Sequence, residues 1–390
     1  MRKTLVLAVT FATILNGCSS APSVSHADRR TAESYSVWQD YLASSGKDKL
    51  ELPTFSEEEA QALFKKAQVW APTDIPRMNV LRGPKKGSVE PGSVLECTYT
   101  ETPRVHMKFN CMLPGEDKVG VRVGDGEIYG GVLASHLLWA IGFGSDVSYG
   151  IKEMRCTDCP AQPTKSHDNI VPLMVFENVA IERHFPGKRI VTDVNLEGAW
   201  SFKDLDKVDP AQGGATKDQT DALQLLMAFI QHWDSKALNQ RFVCLKDGIV
   251  ADENGKASCT KPFLIVNDVG STFGKGGLMV HFLGGMRPMQ ALRASKVDLK
   301  DWKSRKIFKD AKRCETDMTP YTGGTLKSPV ISEGGRKFLS GLLNQLTHDQ
   351  IRDLFISARI ETNTPKATVD EWVDAFEDKV KQINDAHCPE

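Results

Sequence analysis

The sequence predicts an α+β fold in two lobes, a β-rich lobe over residues 51–185 and a mostly helical lobe over residues 186–390. Three observations predict it. Apolar and polar residues alternate between Ser93 and Val123, the period of half-buried strands. Asp218 to Gln231 is apolar on nearly every side, as a deeply buried helix is. From Gly335 to Ala386 apolar residues recur at helical spacing in three successive segments. Strands gathered ahead of helices give segregated layers rather than an alternating α/β sheet.

In chain order, Met1-Arg2-Lys3 is followed by an uncharged run from Thr4 to Leu15. This is the layout of a signal peptide over residues 1–17, and the run is too short to span a bilayer. Leu15-Asn16-Gly17-Cys18 resembles the bacterial lipobox. That resemblance implies lipid on Cys18, a membrane partner, and an extracytoplasmic place in the bacterial cell envelope. The bland alternative is an ordinary cleaved signal peptide. Residues 18–50 are rich in Ser, Ala and charge and read as a tether.

Glu57 to Val69 reads as a helix, and Pro72 ends it. Val94 to Tyr99, Val105 to Met112 and Lys118 to Val123 read as strands. In the second of these, Val105, Met107, Phe109 and Cys111 alternate with His106, Lys108 and Asn110. Glu127 to Ile141 is the next helix, stopped by Gly142, and Val171 to Ile181 the next strand. After the buried helix come two short strands, Arg241 to Leu245 and Phe263 to Asn267. Helices Gly335 to Leu346, His348 to Ala358 and Val369 to Ala386 complete the chain.

Net charge is −1, from 49 Lys and Arg against 50 Asp and Glu, which argues against nucleic acid as a partner. Of the 9 cysteines, 8 remain once Cys18 is set aside, an even number in a compartment that permits disulfides. Proximity pairs Cys97 with Cys111, Cys156 with Cys159, and Cys244 with Cys259, leaving Cys314 for Cys388. The Cys156-Thr157-Asp158-Cys159 spacing suits a structural disulfide first, a redox pair second, and half of a zinc site least. Neither H-E-x-x-H nor G-x-S-x-G occurs. Gly270 to Lys275 misses the P-loop spacing. His184, His281 and His348 are scattered, and Trp139, Trp200, Trp233, Trp302 and Trp372 read as core.

The polar string His232-Trp233-Asp234-Ser235-Lys236-Ala237-Leu238-Asn239 follows the buried helix, and Asp268-Val269-Gly270 follows the second short strand. The first resembles the catalytic loop H-R-D-x-K-x-x-N of protein kinases and the second their D-F-G. The resemblance is to divergent kinases of the secretory pathway, and it implies a two-lobed protein-kinase-like fold. It also implies ATP with Mg²⁺ or Mn²⁺ and phosphoryl transfer to an unidentified acceptor. By that resemblance Asp234 is the base that orients the acceptor hydroxyl. Lys236 offsets phosphate charge. Asn239 and Asp268 are the oxygen ligands of the metal. Gly270 lets the chain turn away after the ligand.

In the first lobe the resemblance makes Cys97 to Cys111 the hairpin over the phosphates, and Lys118 to Val123 the strand that supplies a cation. Lys118 and Arg122 both remain open for that role. The helix from Glu127 supplies the acidic partner, although a mid-helix position near Gly131 is where one is expected. The hairpin turn Glu101-Thr102-Pro103-Arg104 has no glycine, and no A-P-E follows Gly270. These departures favour an alternative, a pseudokinase-type envelope lipoprotein that binds a partner protein without catalysis.

Overall fold

The computed structural model describes residues 50–389 except 85–87, 102–106, 116, 125–126, 166, 252, 275–296, 319–322 and 364–365. Cys18 and the segments expected to be signal peptide and tether, up to residue 49, lie outside the described residues. The protein is a mixed helix and strand fold, with a sheet-rich region followed by a mostly helical C-terminal part.

Helix α1 (Glu57–Lys65) precedes five long strands. Strand β1 (Val94–Glu101) pairs antiparallel with β2 (Lys108–Leu113), and β2 with β3 (Asp117–Arg122). After helix α2 (Ile128–Ala140) come β4 (Val147–Pro160) and β5 (Ile170–Arg183), antiparallel to each other, with β5 also beside β3. A parallel ladder from Val94↔Glu153 to Thr98↔Thr157 joins β1 to β4 and closes the five strands into a barrel. Period-2 alternation then divides the side chains. Phe109, Cys111, Val119 and Val121 point into the barrel core. Lys108, Lys118 and Arg122 take the other face.

Strand β4 is absent from the sequence reading. Its buried set runs Val147, Tyr149, Ile151 and then Met154, Cys156, stepping from odd to even positions. A strict alternation template therefore fails along it.

Two short strands follow, β6 (Lys188–Arg189) and, after the buried helix α3 (Lys217–Phe229), β7 (Gln240–Cys244). The hairpin of β8 (Ile249–Ala251) and β9 (Ala257–Cys259) leads to β10 (Pro262–Val266), which completes a sheet of order β10-β7-β6. The C-terminal part holds α4 (Leu299–Ser304), α5 (Glu333–Leu343), α6 (His348–Ser357) and α7 (Val369–Asp385). Helices α2 and α3 sit in one apolar cluster with α5, α6 and α7. All five expected core tryptophans are buried. Burying one leucine such as Leu226 contributes about 1.5–3 kcal/mol.

Thr216, Thr347 and Thr368 start α3, α6 and α7 as capping boxes with Gln219, Gln350 and Glu371. Each cap contributes about 1 kcal/mol. Helix α1 ends at Lys65, earlier than Pro72, because Lys66 closes it with bonds to Leu63 and Phe64.

Four disulfides form with the pairing expected from proximity: Cys97–Cys111, Cys156–Cys159, Cys244–Cys259 and Cys314–Cys388. Cys156 and Cys159 are both fully buried, as a structural bridge requires. Cys244–Cys259 ties off the β8–β9 excursion. Cys314–Cys388 closes a separation of 74 residues, for which loop-closure entropy gives about 4 kcal/mol. Disulfides of this number are consistent with an extracytoplasmic protein. Among the described residues no helix is long and apolar enough to cross a membrane.

Candidate active site

Strand β3 delivers its last residue, Arg122, to the centre of the site. The guanidinium is almost fully buried and spends every nitrogen on a carboxylate. Nε donates to Glu182 Oε1 at 2.7 Å, one terminal nitrogen to Glu127, and the other to Asp268 at 3.3 and 3.4 Å. Glu182, on β5, binds Lys108 Nζ with its second oxygen at 2.7 Å. Lys108 stands opposite Arg122 in the β2–β3 ladder. Lys108, Arg122, Glu182 and Asp268 line one cleft together with Asp146 and Ser148.

The two cations lower both Asp268 and Glu182. Burial pushes Asp268 upward, but Arg122 foremost, then Lys108 and the Gly270 amide, hold it well below the usual carboxylate range. Glu182 is lowered in the same way, burial being outweighed by Arg122 and Lys108.

The loop after α3 is held against the Asp268 segment by backbone bonds. Asn239 O accepts from Asn267 N at 2.8 Å and from Asp268 N at 3.1 Å. Trp233 N donates to Ser271 O, and the buried Trp233 indole to Gly274 O. Within the loop, Asn239 Nδ2 donates to Asp234 O at 2.6 Å and Lys236 Nζ lies 2.7 Å from Asp234 Oδ1. Asp234, Lys236, Asn239 and Asp268 therefore share one neighbourhood, as do Arg122 and Glu127. Lys118 does not join them. It lies on the same strand face, four residues out from Arg122, half-exposed and paired with Glu101 at 2.5 Å.

Glu127 reaches Arg122 from the N-cap of α2 rather than from mid-helix. A Cβ at Gly130 would sit 2.3 Å from Gly270 O, so α2 packs its glycines directly on the Asp268 segment. Ser271 Oγ donates to Glu127 at 3.1 Å and Thr272 Oγ1 to Gly130 O at 3.2 Å, closing the contact. Gly270 itself is not among the positive-φ glycines. It is needed for room: a Cβ there would meet Glu127 Cβ at 2.6 Å. That corrects the expectation that its turning freedom matters.

The oxygen ligands expected for a metal fit a hard cation chemically. Asn239 turns its amide nitrogen to Asp234 O, which leaves its oxygen as the acceptor. The Asp268–Arg122 contacts are longer than the about 2.7–2.9 Å of a strong charged bond, so this is the loosest arm of the network. Among the described residues no group of three or more His, Cys, Asp or Glu side chains is arranged to hold a metal. The expected pair, one acid and one amide, is not such a group.

Sequence reasoning missed Lys108, Glu182 and Ser271. The signal for Lys108 was present, as the polar side of the alternating strand around Phe109. Glu182 directly follows an apolar run, an acid where the next core residue is due. His184 and His348 are surface residues paired with Asp146 and Glu377, and His281 lies outside the described residues.

No protein-family model matches the chain, and no curated protein matches it. Among solved structures, the Helicobacter pylori proinflammatory kinase CtkA is similar at a TM-score of 0.39 and 10% identity. The match covers 75% of this chain and 96% of that chain. A likeness at that level carries no weight for fold or activity.

Proposed function

We propose that the protein is an exported, lipid-anchored phosphotransferase of protein-kinase-like design that uses ATP with Mg²⁺ or Mn²⁺. The observation that carries this reading is the meeting of three distant segments. Arg122 of β3 binds both Glu127 of α2 and Asp268, while the amide of Asp268 is held by Asn239 of the Asp234 loop. Phosphoryl transfer needs a fixed cation, a metal-binding acid and a base; Arg122 and Asp268 line the cleft, and the Asp234 loop is bonded to the Asp268 segment through Asn239 O. Asp234 is the base, and Lys236, whose Nζ lies 2.7 Å from it, is the contact for the transferring phosphate. Asn239 and Asp268 would hold the metal, Asp268 giving up its contact with Arg122. The metal supplies charge neutralisation for the phosphates. The four disulfides support export; lipid attachment at Cys18 rests on the likeness of Leu15 to Cys18 to the lipobox.

A cleft with three carboxylates against two cations repels a free polyanion, so the nucleotide must arrive with its metal. ATP with Mn²⁺ should therefore raise the melting temperature, and ATP with EDTA should not. At a hundredfold excess over Kd the gain is about 2.7 kcal/mol. Asp268→Asn should lose the shift. Asp234→Asn should keep it while losing radiolabel transfer from γ-labelled ATP by about 10²–10⁴-fold. Absence of any shift with either metal sinks the nucleotide reading.

The second reading is a pseudokinase that binds without transfer. It is favoured by one observation: Arg122 already occupies the Asp268 carboxylate. A metal-dependent shift with no transfer to any acceptor, protein or small molecule, decides for it.

A further inference from the structure

The three side-chain nitrogens of Arg122 are each committed to a carboxylate, Glu182, Glu127 or Asp268. A guanidinium so placed holds the site together, and of its five N–H donors those turned to the carboxylates are not open to a ligand. Lys108 differs. An ammonium has three donors, and Lys108 gives one to Glu182 Oε2 while its charge also acts on Asp268. Its side chain is 17% exposed, and that exposure is toward the cleft it lines with Asp268.

The placement is built, not incidental. Lys108 and Arg122 are directly opposed across the β2–β3 ladder, so their Cβ atoms are about 5 Å apart on one face. Glu182 clamps both, one oxygen to each, at 2.7 Å. The connection from β1 to β2, Thr102 to Met107, contains no glycine. Glycine is what lets backbone amides approach a phosphate closely enough to cradle it. A side-chain cation at the base of β2 can supply the missing donors.

We infer that Lys108 is the residue that grips the phosphate tail of the nucleotide, and that Arg122 is a positioning residue that holds Glu127 and Glu182 beside it, and Asp268 until the metal takes that carboxylate. The inference rests on the nucleotide-binding reading above and adds a specific role to it. The ligand class is a nucleoside triphosphate with its divalent cation. Lys108 turns two of its three protons to phosphate oxygens while Glu182 keeps the third.

Calorimetric titration of the whole protein with Mg·ATP and with adenosine tests it. Lys108→Gln should weaken Mg·ATP at least tenfold and leave adenosine affinity unchanged, and Lys108→Arg should recover most of the loss. A merely structural lysine would weaken both ligands together. In the unaltered protein, acylation of Lys108 by an amine-reactive reagent, read by mass spectrometry, should be suppressed by Mg·ATP and not by adenosine. That arm stands even if the glutamine variant does not fold. Equal Mg·ATP affinity in Lys108→Gln, or undiminished acylation with Mg·ATP bound, overturns the assignment and leaves the nucleotide reading intact. Failure of the unaltered protein to bind Mg·ATP removes both.

Discussion

Replacing Arg122 with methionine should destabilise the protein by about 3–5 kcal/mol, the loss seen when one partner of a buried ion pair is removed. The size follows from what remains. Glu127, Glu182 and Asp268 converge on one guanidinium, and without it the cation left beside them among the described residues is Lys108, which reaches Glu182. Carboxylates left together in a part-buried site must take up protons or separate. Urea unfolding at pH 7 should show the loss, and it should shrink at low pH as the acids are neutralised. Arg122→Lys should recover only part, since an ammonium cannot span three carboxylates in the fork geometry of a guanidinium. Lys118→Met is the internal control. Its partner Glu101 is at the surface, and the unfolding curve should not move. An Arg122→Met protein as stable as its parent would mean that the ion cluster does not organise the site.

The second large effect is a loss of stability in mild acid. His136 and His232 are wholly buried, and burial pushes each ring down to about 4. For His232 this prevails over the pull of Asp234 and Asp268, and for His136 over the bond to Val80 O. Unfolded histidine titrates near 6.5, so between about 6.5 and 4 the unfolded chain binds more protons. Stability therefore falls as pH falls through that window. At pH 5 the loss is on the order of 2 kcal/mol per histidine, about 4 kcal/mol in all. The lowered acids Asp268 and Glu182 act elsewhere, their contribution vanishing only below about pH 4. His184 and His348 are raised by Asp146 and Glu377, so they act in the opposite direction. Both are exposed, and their effect is small. Urea unfolding at pH 7 and pH 5 measures the difference. A His136→Gln/His232→Gln protein should lose most of it, and an unchanged slope in that protein would refute the assignment.

Much of this fold is legible in the residues. Strand β2 declares itself because Phe109 and Cys111 alternate with Lys108 and Asn110 while the strand keeps one buried face. Helix α3 declares itself by being apolar on nearly all sides. Strand β4 does not, because its inward set changes phase between Ile151 and Met154. Barrel closure is equally hidden, since the β1–β4 ladder joins residues about 60 apart with no local mark.

The site divides in the same way. Asp234, Lys236 and Asn239 lie within one octapeptide, and Asp268 follows a strand, so each was visible from local pattern. The choice between Lys118 and Arg122 was not. Four residues apart on a strand, they share a face, and only the positions of Glu182 and Asp268 separate them. The acid partner, Glu127, was named from the sequence at the start of its helix although a mid-helix position was expected, and the close approach of Gly130 to Gly270 O bars a side chain at that neighbouring position. Glu127 reaches in from the N-cap instead.

Diffraction from crystals grown with Mn²⁺ and a non-hydrolysable ATP analogue, recorded at the manganese edge, tests the central claim most directly. The account predicts an anomalous peak bridging Asp268 and the Asn239 oxygen, the Asp268 carboxylate turned from Arg122, and phosphate oxygens beside Lys108. A nucleotide bound elsewhere, or a cleft with no manganese and Asp268 still on Arg122, would contradict it.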